Sequence, residues 1–176
     1  NGGRIQRIFT LNRDSLYNGK LSNIKLFNVN TPNHITPAVT LDSTKEEEFL
    51  IINNDENLIE SKYIILKIVG TRDNPQLITT PNKIDKLSVN YTGVYLGAQK
   101  NQTSTKYLNA GDPRICDAIY SNGYLWFAHT EKLGISDPYK LGIRWYQVDP
   151  ELLTIKQFGT ITDDSTSSAF FYPSIK

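Results

Sequence analysis

Apolar and polar residues alternate with a period of two along most of this 176-residue chain, and Gly, Pro, Asn and Asp break the alternation into short runs. That pattern predicts strands joined by turns. Ile115–Tyr120 and Tyr124–Thr130 flank Asn122-Gly123, the dipeptide that supplies the two positive-φ positions of a type I′ hairpin. After a turn region at 134–138 come Ile143–Val148 and then, past Asp149-Pro150, Thr154–Thr160. Four short antiparallel strands joined in chain order are the pattern of one β-propeller blade.

The same pattern recurs earlier in the chain. Tyr63–Val69 is apolar at nearly every position, as in a strand buried on both faces. With Ile35–Leu41, Glu48–Asn53 and Gln76–Thr80 it predicts another four-strand unit. Arg4–Leu11 and Asn23–Val29 read as the outer half of a further unit, with Ile24, Leu26 and Phe27 marking its half-buried strand. Tyr172-Pro173-Ser174-Ile175 echoes Thr36-Pro37-Ala38-Val39 and reads as a strand opening. The expected layout is a single all-β, propeller-like region: partial blade 3–30, blade 35–80, loop 81–113, blade 114–162, and the start of a next blade at 170–176. Only Ser43–Phe49 offers a helical period, for one turn at most.

Composition narrows the function classes. Lys and Arg total 19 against 18 for Asp and Glu, so no net field draws in nucleic acid or an anionic membrane. No apolar run approaches the roughly 20 residues that span a bilayer. The single cysteine, Cys116, falls in a predicted strand and reads as a buried structural thiol. Methionine is absent even at position 1, so the chain reads as a processed or partial product. The sequons at Asn90 and Asn101 matter only in a secreted eukaryotic protein.

Asn12–Gly19, Gly111–Ile115, Asn122–Thr130, Ile143–Pro150 and Phe171–Ile175 resemble a group of secreted bacterial β-propeller proteins of unassigned function. The resemblance covers most of the chain and is strongest from Gly111 onward. It implies a propeller fold and a secreted or cell-surface location. In that group the pattern continues past Tyr172–Ile175, and a ring needs about four to eight blades. The expectation is therefore an incomplete propeller or fragment, with sheet edges completed by remaining blades or further copies.

Candidate chemistry is sparse. Only His34 and His129 are present, which excludes a three-histidine metal site within the chain, and no cofactor motif occurs. His129 ends an aromatic strand and reads either as a channel-facing group or, more simply, as a hydrogen-bonded tie between strand and loop. Asp112 and Arg114 flank Pro113 at a predicted channel rim; they offer either a ligand site or a structural turn pair. Asp117 needs a partner, with Arg114 or Arg144 to supply it. Trp126 and Trp145 read as core aromatics or a sugar-stacking platform. Asp163–Ser168 lacks the spacing of a calcium loop, and Glu46-Glu47-Glu48 reads as a charged strand edge. Two functions follow. One is a non-catalytic extracellular module recognising protein or glycan. The other is a glycan hydrolase using Asp112, Asp117 and Glu131, whose carboxyl separation would have to fall near 5 Å or 6.5–9.5 Å.

Overall fold

The computed structural model describes residues 4–20, 24–54, 61–86, 95–97, 107–133, 140–163 and 169–176. The described chain is all-β apart from one five-residue helix. Its elements are β1 (Ile5–Thr10), α1 (Arg13–Tyr17), β2 (Lys25–Asn30), β3 (Ile35–Pro37), β4 (Val39–Thr40), β5 (Glu48–Asn54), β6 (Lys62–Thr71) and β7 (Asn74–Asp85). Then follow β8 (Leu96–Gly97), β9 (Leu108–Asn109), β10 (Asp117–Ser121), β11 (Tyr124–Lys132), β12 (Leu141–Asp149) and β13 (Thr154–Ile161).

These strands form several sheets, none of them closed. β1 and β2 make an antiparallel pair; β3-β5-β6-β7 make sheet I; β13-β12-β11-β10-β4 make sheet II; β8 pairs with β9. In sheet II, β10 to β13 are consecutive antiparallel neighbours, and Asn122 (φ 52°) and Gly123 (φ 84°) turn the first hairpin.

Period-two alternation builds the core. In β5, Phe49 and Ile51 face sheet II while Leu50 and Ile52 face the β1–β2 pair; in β6, Tyr63 and Ile65 oppose Leu66 in the same way. Sheet II answers with Ala118, Tyr120, Leu125, Phe127, Tyr146 and Val148 from β10, β11 and β12. Strands covered on both faces must be apolar throughout, which is why β5 reads as a continuous run. The segment holding β3 and β4 crosses between the sheets. Ala38 N–H donates to Phe49 O at 2.8 Å on sheet I, and Leu41 N–H donates to Tyr120 O at 3.0 Å on sheet II. Thr36 Oγ1 donates to Ile115 O and Asn53 Nδ2 to Pro113 O, fastening the same edge.

Several expectations are corrected. The one helix is at Arg13–Tyr17, where Asn12 Oδ1 caps it by accepting from Ser15 N–H at 3.1 Å, and not at Ser43–Phe49, which is turn and β5. Inside 81–113, β7 continues to Asp85 and two short strands pair. Residues 170–176 form no strand. They run as a strap in which Phe170 N–H donates to Leu141 O and Phe171 packs with Tyr95, Ala110 and Leu141. In the first pair, Ile24 and Leu26 are exposed while Ile8 and Val29 face sheet I. The turn at 134–138 lies outside the described residues.

Polar contacts close both ends of the interface between the sheets. At one end Lys67 Nζ donates to both carboxylate oxygens of Glu151, at 2.7 and 2.8 Å. Near the other, fully buried His129 meets Tyr63 Oη through Nε2 at 2.6 Å, and its Nδ1 lies 3.0 Å from Thr130 O. A carbonyl can only accept, so Nδ1 carries a proton, and when the ring is neutral Nε2 accepts from the Tyr63 hydroxyl. Tyr63→Phe removes that donor from a buried acceptor and is expected to destabilise the fold by about 1–3 kcal/mol. Urea unfolding measures this; a variant as stable as the parent would show that the contact contributes nothing.

Candidate functional site

The six residues singled out from the sequence do not converge. Asp112 and Arg114 pair with each other: Oδ1 accepts from the Arg114 backbone N–H at 3.1 Å and from Nε at 2.7 Å, and Oδ2 accepts from Nη2. Burial alone would raise the Asp112 pKa. The Arg114 side chain, its backbone N–H and its charge outweigh that, with a further contribution from His34, and hold the carboxyl below its ordinary value. This is the turn pair, with both ends of the fork occupied.

Asp117 takes neither arginine. Its Oδ2 accepts from Ser174 Oγ at 2.9 Å and Ile175 N–H at 3.3 Å, and so pins the C-terminal strap to β10. Arg144 instead bonds Glu131 across β11 and β12, with the Glu131 side chain only 3% exposed. His129 lies between the two sheets, stacked with Tyr146, as a tie and not in a channel. Trp126 and Trp145 stack on each other at 6.2 Å on the face of sheet II opposite Phe127 and Tyr146. The Trp145 indole lies over Gly159, where a Cβ would come within 2.6 Å of the ring.

Cys116 is exposed just before β10, so the buried-thiol expectation fails. Partial shielding pushes its pKa up, and Arg114 only partly opposes this, so the thiolate is not favoured. No cluster of metal-ligating side chains occurs among the described residues. Asn90, Asn101 and 164–168 lie outside them.

A cleft not anticipated from the sequence lies between β1 and sheet I. Lys25 Nζ reaches Asn74 Oδ1 at 3.4 Å and Arg72 pairs with Asp14 at 2.6 Å, seating the first pair over the β6–β7 side of sheet I. Along β1, a cavity of about 500 Å³ remains over Ile35, Pro37, Leu50 and Ile68. It adjoins a second cavity of about 290 Å³ bounded by Glu46, Glu47, Glu48 and Arg72. Thr10, Leu11, Glu48 and Ile68 border both.

The polar groups here are few and distinctive. Thr10 Oγ1 is buried with no hydrogen-bond partner among the described residues. Glu48 stands at the junction, and loss of water around its carboxyl raises its pKa against the opposing hydrogen bond from Thr40 Oγ1 at 3.2 Å. An apolar cleft with convergent polar groups and a perturbed carboxyl is the ordinary form of a ligand site. Glu46-Glu47-Glu48 was the only sequence signal for it, and its third member faces inward, not along a protective edge.

A carboxyl whose folded pKa is raised favours the fold when protonated and loses that contribution as pH rises through the folded value. Glu48→Gln is therefore expected to be more stable than the parent at neutral pH, with the difference vanishing in acid. Denaturant midpoints at several pH values check this; a difference independent of pH would contradict it. Comparison with protein-family models, with curated proteins and with solved structures finds no match for this chain.

Proposed function

We propose that this chain is a non-catalytic recognition module of a propeller-like, secreted or cell-surface protein, and that it holds a protein or glycan ligand in the cleft along β1. The observation that carries this reading is the cleft itself: an apolar floor, a buried hydroxyl with no partner among the described residues, and a carboxyl with raised pKa beside a strand edge. The glycan-hydrolase alternative has less support. Of its three carboxylates, Asp112 is held by Arg114, Glu131 by Arg144, and Asp117 by Ser174 and Ile175. A general acid or nucleophile has to be free to meet the glycosidic bond. The propeller-like part of the reading is supported by two face-packed antiparallel meanders, 48–85 and 117–161, with a lone antiparallel pair stacked beyond the first.

Pro37 is exposed on the cleft wall, so Pro37→Trp fills the cavity without entering the core. Ligands selected from a glycan array and a displayed-peptide library are expected to bind this variant at least tenfold more weakly. Undiminished binding of every selected ligand would place recognition elsewhere.

A further inference from the structure

The cleft runs along a strand edge, and the hydrogen-bond phase of that strand shows which backbone groups face it. Thr31 N–H donates to Arg4 O at 3.0 Å, in line with the Ile5↔Asn30 register. Opposed residues in an antiparallel ladder alternate between bonded and non-bonded pairs. Gln6, Ile8 and Thr10 therefore bond to β2, and the N–H and C=O groups of Ile5, Arg7 and Phe9 point to the free edge. Among the described residues β1 pairs with β2 alone. Arg7 and Phe9 border the cavity although both residues are exposed on the outer face of the strand, so it is their backbone that faces it.

We propose that the cleft takes an extended segment of a partner polypeptide, which adds as an antiparallel strand to the free edge of β1. This deepens the recognition-module reading and rests on it. An added strand would bond the three free backbone pairs and lay alternate side chains on Ile35, Leu50 and Ile68, the two elements of strand-addition recognition. A hydroxyl-bearing side chain on that inner face would partner Thr10 Oγ1.

Charge sets the direction. Glu46, Glu47 and Glu48 lie beyond the Thr10 end of β1, where Lys45 offsets Glu47 at 3.3 Å and Arg72 is taken up by Asp14 at 2.6 Å, whereas Arg7 lies toward the other end. An antiparallel strand would bring its amino end to the glutamates and its carboxyl end to Arg7, so a basic start and an acidic finish fit. A second copy of this chain does not fit. Pairing edge to edge through β1, it would carry its own sheet I to the same side, into the space that β3 and β5 occupy.

The probe is a blocked peptide whose core alternates valine and threonine over the six-residue length of β1, with lysine at its amino end and glutamate at its carboxyl end. Amide exchange of the 15N-labelled protein is expected to slow at least tenfold at Arg7 and Phe9 in its presence. Phe9→Pro removes one free-edge donor at a position where an edge strand tolerates proline; it is expected to bind the peptide at least tenfold more weakly. Reversing the lysine and glutamate should also weaken binding. If the peptide fails to bind, or binds without slowing Arg7 and Phe9, strand addition is overturned. Glycan ligands that Pro37→Trp abolishes would then leave the recognition reading standing, and their absence too would remove both.

Discussion

Everything else in this fold depends on the packing of sheet I against sheet II. β5 and β6 present Phe49, Ile51, Tyr63 and Ile65 to Phe127, Tyr146, Leu125 and Val148, and the rings of Tyr63, Phe127 and Tyr146 meet at 4.8–5.3 Å. Edge-to-face and offset contacts at such distances add about 0.5–1.5 kcal/mol each beyond the area they bury. Tyr63 is central because it touches both aromatic strands and its hydroxyl meets the buried ring nitrogen of His129 near one end of the interface, where an unmet polar group is costly.

That packing makes the cleft possible. β5 and β6 are apolar on both faces, and only one face is consumed by sheet II. The β1–β2 pair covers much of the other through Ile8 and Val29. Two strands cannot cover a four-stranded sheet, so among the described residues an apolar floor and an unpaired edge lie side by side. Edges of this kind are usually blunted by charge or by cover. Here Glu46, Glu47 and Glu48, accompanied by Lys45 and Arg72, stand beyond one end of β1, and Arg7 borders the cavity along the strand.

The strands were largely legible in the sequence, and the site was not. Period-two alternation located β5, β6 and β10–β13, and Asn122-Gly123 located its turn, because those signals are local. The helix at Arg13–Tyr17 was hidden because Asn-x-x-Ser serves a turn as well as a cap. Asp112, Arg114, Asp117 and His129 were chosen as chemically able, but their partners come from the adjacent turn, the C-terminal strap and another sheet. Only the pairing with Tyr63, 66 residues away, shows His129 to be a tie. The cleft depends on which strands lie over sheet I and on an edge left open, and neither is written in any single segment. The parallel pairing of β4 with β10 is equally non-local, since it needs the crossing between the sheets.

Native-state hydrogen exchange on the free protein tests most directly whether the two sheets form one block on which the β1–β2 pair rests. Amides in β5, β6, β11 and β12 are expected to exchange through a single opening with the same denaturant dependence, while β1 and β2 open at lower free energy. Sheets that open independently, or a β1–β2 pair as protected as β5, would contradict the account.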